Sequence, residues 1–112
     1  MTTVTFFRQG KTLSGVNVSG HAGYAEIGSD IVCSAISVAV HMTALGLSEI
    51  LQLNVRIESA EGNVQILVSP DDTASAQPML RTLEREFEEI EKQYPDHISI
   101  SYTERREFKC FN

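Results

Sequence analysis

The sequence is poor in the residues that staple small domains together. Only two cysteines, Cys33 and Cys110, occur in 112 residues, far apart and with no CxxC pair. That argues against a disulfide framework and against a structural zinc site, and no metal or other cofactor is expected. The opening residues Met1-Thr2-Thr3-Val4-Thr5-Phe6-Phe7 lack a basic stretch followed by an apolar core, so they do not read as a secretory signal. Residues 31–40 form the strongest apolar run, but it includes Ser34 and Ser37. It reads as too short to span a bilayer. Positive charge is also scarce: 9 Lys and Arg stand against 15 Asp and Glu, for a net charge of −6. An excess of that sign disfavours nucleic acid held through its phosphates and leaves a basic protein partner open. Together these absences point to a soluble protein of a reducing cytoplasm.

What is present reads as one α+β domain over residues 1–112, with 42% hydrophobic residues to build a core. Residues 4–8 are β-branched and aromatic. Gln9-Gly10-Lys11 makes a turn, and residues 12–19 alternate as a second strand. Glycines at 20, 23 and 28 mark a loop with unusual backbone freedom. A helix is expected from Ser29 or Asp30, either of which can cap it, with Val32, Ile36, Ala39 and Thr43 on one stripe. Its end near Gly46 to Leu51 is not fixed by the pattern.

Residues 55–59 and 64–68 form a second hairpin around Ala60-Glu61-Gly62-Asn63. Pro70-Asp71-Asp72 opens a second helix running to about Tyr94, with Met79, Leu80, Leu83, Phe87 and Ile90 on its apolar face. Glu84, Arg85, Glu88, Glu89, Glu91 and Lys92 form its solvated side. Pro95 ends that helix, and residues 98–108 close the domain as a strand. The order is ββαββαβ: a mainly antiparallel sheet with two helices packed on one face.

The stretch with chemical potential runs from Gly20 to Ser37. Cys33 is placed in the first turn of the expected helix, where unpaired backbone N–H groups and the helix dipole favour a thiolate. Those amides can also serve as an oxyanion hole. The plain alternative is a small buried hydrophobe. Of the three histidines, His41 is eight residues along the same helix, about 12 Å away along its axis. His97 sits at a strand start. His21 ends the second strand, and its loop leads back to the helix of Cys33, so it is the best-placed base. Asp30 either caps the helix or orients His21. Ser37, one turn beyond Cys33, either leans toward the thiol or bonds back to the Cys33 carbonyl. Cys110 has no histidine or helix start nearby and reads as structural or incidental.

The run Gly20-His21-Ala22 followed by Gly28-Ser29-Asp30-Ile31-Val32-Cys33-Ser34-Ala35-Ile36-Ser37 resembles the signature of the ribosomal-processing cysteine protease family, Prp. The twelve-residue step from His21 to Cys33 and the element order agree with it. The resemblance implies a homodimeric endopeptidase with a Cys33–His21 dyad, assisted by Gly20, Asp30 and Ser37. It also implies a substrate: the N-terminal extension of large-subunit ribosomal protein L twenty-seven, cut after paired aromatic residues. A non-enzymatic ribosome-associated binding module with an inert Cys33, or a thiol redox sensor, would have the same fold.

The glycines predict that residues 21–28 become ordered only over a bound peptide. Hydrogen exchange on the Cys33→Ala protein should then show new protection there when peptide is added. Strong protection in the free protein, unchanged by peptide, would remove the lid.

Overall fold

A computed structural model describes residues 1–20 and 27–105, with residues 27–30 described by backbone alone. His21, Cys110 and most of the proposed lid therefore lie outside the described residues.

The alternation of Val4 and Phe6 with polar neighbours produces β1, Thr2–Gln9, whose Thr2, Val4 and Phe6 are all buried. Gly10, at φ +59°, turns the chain into β2, Thr12–Ser19. The β1–β2 register runs Val4↔Val18 and Phe6↔Val16, then shifts after Phe7, so that Ser14 has no partner across the ladder. The second hairpin pairs β3, Val55–Ala60, with β4, Asn63–Val68. Gly62, at φ +75°, makes that turn. The last strand, β5, Ile98–Glu104, lies parallel to β1, with Ile100 opposite Val4. The sheet order is β3-β4-β2-β1-β5, with antiparallel pairing everywhere except β1–β5.

Both helices cover the face that carries Val4, Phe6, Val16, Ile66, Val68 and Ile98, and one core joins them to it. Helix α1, Ile27–Leu45, buries Val32, Ile36, Val40 and Ala44, and continues as a wider π turn, Gly46–Ile50, that buries Leu47. Helix α2, Thr73–Gln93, follows a 3-10 turn, Pro70–Asp72, and buries Ala76, Leu80, Leu83, Phe87 and Ile90. At Gly46, where α1 gives way to the π turn, a Cβ would meet the end of the flexible Met79 side chain, which would have to shift.

Tyr102 fixes the β5 edge. Its ring stacks on Phe6 at 5.9 Å, and its hydroxyl donates to Glu84 Oε2 at 2.6 Å. Burial, reinforced by the Glu84 carboxylate, pushes the phenol up to about 12.

Two sequence expectations change. Helix α1 starts at Ile27, ahead of Ser29 and Asp30. An acidic residue suits the dipole in the first turn as well as at the cap, so the cap signal did not fix the boundary. The apolar run is also longer than residues 31–40. The stretch Ile31–Ile50 has a mean hydropathy of 1.8 and is long and apolar enough, by length and composition, to cross a membrane. One third of it is buried inside the fold, where Val32, Ile36, Val40 and Leu47 help form the core.

The irregularity at Ser14 leaves the Leu13 backbone to be satisfied from outside the ladder. Gln77 of α2 does so twice: it accepts from Leu13 N at 3.0 Å and donates to Leu13 O at 2.7 Å. Gln77→Leu should therefore cost about 1–3 kcal/mol by leaving that peptide unit unpaired. Urea denaturation of the variant, compared with exposed Gln52→Leu, measures it.

Candidate active site

Three chain segments converge at the end of β2. Gly20 adopts φ +132°, and a Cβ on it would stand 2.6 Å from Met1 O and 3.0 Å from Thr2 Cα. Only glycine lets the end of β2 pass this close to the start of β1. The same residue donates its N–H to Gly62 O at 3.0 Å, which ties the turn of the second hairpin to the site. Thr2 is held in turn by its N–H, which donates to His97 O at 2.9 Å. Strand pairing and these bonds bring Thr2, Gly20, Gly62 and Asn63 around a pocket of about 210 Å³.

Helix α1 supplies the remaining wall. With Val32 and Ile36 pinned in the core, Cys33 and Ser37 fall beside that stripe and line the pocket. Cys33 is half-buried and free, and its Sγ lies 3.8 Å from Thr2 Oγ1, with either atom able to donate. A half-buried thiol on a pocket wall is not the fully enclosed core residue of the plain alternative. Because α1 begins at Ile27, Cys33 falls in its second turn. Its own amide is therefore inside the helical ladder, and the unpaired amides are those of the preceding turn. This corrects the placement of Cys33 in the first turn and weakens the dipole argument, since that field fades within one turn.

Gly20 and Ser37 are brought together with Cys33. Asp30 falls inside the first turn of α1 and so cannot be its N-cap. His41 is exposed and does not line this pocket. His97 holds the site through its backbone carbonyl, which accepts from Thr2 N, and its ring lies 6.2 Å from that of Tyr94. Thr2 was missed by sequence reasoning. Its place depends on β5 pairing with β1, and no local signal near residue 2 reports that. Gly62 was readable as a turn residue but not as a wall of the site.

Two other depressions flank α1. A trough of about 230 Å³ lies on the β3–β4 side, over Val40, Ala44, Ile57 and Val64. A larger cavity of about 570 Å³ lies on the α2 side, lined by Val38, Met42, Met79 and Leu83. Among the described residues, no three His, Cys, Asp or Glu side chains gather as a metal site.

Comparison with known proteins follows the same lines. The profile of the family described as cysteine protease Prp matches residues 1–99. A crystal structure of the ribosomal processing protease Prp from S. aureus, in complex with a substrate peptide, superposes with a TM-score of 0.83 at 24% identity. It covers 92% of this chain and 100% of that one. A second structure of that protease, with a covalently linked product peptide, gives 0.81 at 24% identity over the same shares. A Streptococcus mutans protein, SMU.848, gives 0.84 at 22% identity, over 94% of this chain and 99% of that one. Among curated proteins, none matches by sequence.

The close approach at Gly20 carries a prediction. Gly20→Ala should destabilise the fold by more than about 1 kcal/mol, because a positive φ is strained for alanine and the new methyl meets backbone rather than a yielding side chain. The thermal midpoint should fall by about 4 °C or more. Gly10→Ala, where a Cβ meets nothing within 4 Å, serves as the comparison, since it bears the φ strain without the clash. Equal losses in the two variants would show that the contact with Met1 is unimportant.

Proposed function

Since this chain belongs to the cysteine protease Prp family, we propose that it is a cytoplasmic cysteine endopeptidase in which Cys33 is the nucleophile and His21 the base. The observation that carries this reading is the half-buried Cys33 on the wall of a pocket that Gly20 also lines. His21 is the next residue in the sequence after Gly20.

The chemistry is acyl transfer. The Cys33 thiolate adds to the scissile carbonyl, and His21, having taken the thiol proton, gives it to the departing amine. A thioester remains. Water, deprotonated by His21, adds to it, the C–S bond breaks, and the acid product leaves with the thiol restored. The unpaired amides of the first turn of α1 are the natural donors for the oxyanion. Asp30 belongs to that turn and orients His21, and Ser37 supports the thiol from one turn below.

The proposed substrate is the N-terminal extension of large-subunit ribosomal protein L twenty-seven, cleaved after paired aromatic residues. The net charge of −6 favours a basic ribosomal protein over nucleic acid. The homodimer has its own support in α1. Ile31, Ala35, Val38, Met42 and Leu45 follow spacings of four, three, four and three, the period of a helix-pairing seam, and all are exposed. Val38 and Met42 are 59% and 65% exposed, which is more apolar surface than a lone soluble helix usually leaves open. A second copy of the seam would cover it.

Cys33→Ala should abolish cleavage of an extended L twenty-seven N-terminal peptide, followed by mass spectrometry, while changing stability by less than about 1 kcal/mol. His21→Ala should lower kcat about 10²–10⁴-fold and slow alkylation of Cys33 by iodoacetamide at neutral pH. His41→Ala should do neither. An alkylation rate unchanged by His21→Ala would exclude it as the partner of the thiol.

A further inference from the structure

The inward face of β1 carries Thr2, Val4 and Phe6. Val4 and Phe6 are core hydrocarbons, whereas Thr2 brings a hydroxyl to a position that is only 6% exposed. A hydroxyl taken out of water costs stability unless it is hydrogen-bonded. Among the described residues, the partner of Thr2 Oγ1 is Cys33 Sγ, 3.8 Å away. The backbone leaves this contact little freedom. Thr2 N–H is bonded to His97 O, and β1 is paired on both sides here, Thr2 with Ile98 of β5 and Thr3 with Ser19 of β2. Cys33 is held from the other direction by Val32 and Ile36, which are sealed in the core.

We infer that the Thr2 hydroxyl donates a hydrogen bond to the Cys33 thiolate, orienting the sulfur in the pocket and favouring its charged form. The inference rests on the reading of Cys33 as the nucleophile. In the thiol, either atom can be the donor. Once the thiol proton has passed to the base, the sulfur has none to give, so the direction is fixed as O–H to S⁻. A hydrogen bond to an ionised partner is stronger than one between neutral groups, so the contact favours ionisation. Among the described residues that line the pocket there is no lysine, arginine, histidine or carboxylate, and Cys33 is the one titratable group. The hydroxyl therefore has no described charge to compete with for the sulfur. A thioester sulfur is a weak acceptor. The bond thus relaxes in the acyl-enzyme and re-forms as the C–S bond breaks and the thiolate departs, so Thr2 acts on the sulfur in both steps.

The test separates the hydroxyl from the shape of the side chain. Thr2→Val keeps the β-branched shape and removes the donor, and Thr2→Ser keeps the donor. Thr3→Val, at an exposed position on the opposite face of β1, is the control. Alkylation of Cys33 by iodoacetamide is followed against pH, with peptide mass spectrometry reporting Cys33 separately from Cys110. In Thr2→Val the profile should move up by about 0.5–1 pH unit, which is about three- to tenfold slower alkylation on its acid limb. The rate reached at high pH should not fall, because a thiolate freed from a donor is more basic and so more nucleophilic. Thr2→Ser and Thr3→Val should keep the wild-type profile. A profile that does not move in Thr2→Val, or that moves as far in Thr2→Ser, overturns the role of the hydroxyl.

The melting temperature gives a second readout. Thr2→Val replaces a buried hydroxyl by a methyl group, so the variant should melt no lower than the wild-type protein even as its thiol becomes less reactive at acid pH. A variant that loses stability while its alkylation profile stays in place would assign Thr2 to packing alone. Cleavage retained in Cys33→Ala would sink the nucleophile, and the alkylation profiles would still decide whether Thr2 bonds the thiolate. Cleavage lost in Cys33→Ala, with an unmoved profile in Thr2→Val, would keep the nucleophile and sink the bond.

Discussion

Helix α1 is clamped on one side only, and the rest of the site depends on that asymmetry. Val32, Ile36, Val40, Ala44 and Leu47 are sealed against the sheet, which fixes the rotation of the helix about its axis. With 3.6 residues per turn, that rotation decides where every other side chain of α1 emerges. Cys33, Ser37 and His41 come out on the flank toward β3 and β4, while Ala35, Val38 and Met42 come out on the flank toward α2. One buried stripe thus separates the chemical face of the helix from the apolar seam. A substitution that rotated α1 by one residue's worth of arc, about 100°, would take the thiol out of its pocket even with the fold intact.

The fold was largely readable because its signals are local and repetitive. Val4 and Phe6 alternate with polar neighbours, Leu80, Leu83, Phe87 and Ile90 recur at helical spacing, and Gly10 and Gly62 stand where the chain must turn. The β1–β5 pairing was not readable in the same way. It joins residues nearly a hundred positions apart, and nothing in either strand announces the other. Gly46 marks the point where the α-helix gives way to the wider π turn, which is the kind of weakness a glycine within a helical pattern signals.

The site was readable in its types and not in its geometry. A glycine-rich loop, His21 and Cys33 stood out together, and Gly20, Cys33 and Ser37 do share a pocket. The start of α1 was misplaced because Ser29 and Asp30 are equally at home at a cap and in the first turn. Thr2, 3.8 Å from the thiol, could not be found from sequence, since its position is inherited from strand order.

The dependence of Thr2 on His97 has a consequence for how the molecule comes into being on the ribosome. Thr2 is bonded to the carbonyl of His97, and β1 gains its second neighbour only when β5 arrives. Chains emerge in order, so during synthesis the first strand must wait for the last. Such distant pairing closes slowly and late. A growing polypeptide that has already produced Cys33 has no finished pocket to hold it. Completion of translation is thereby the step that closes the pocket around Cys33, and a truncated product that stops before β5 carries the thiol without those surroundings.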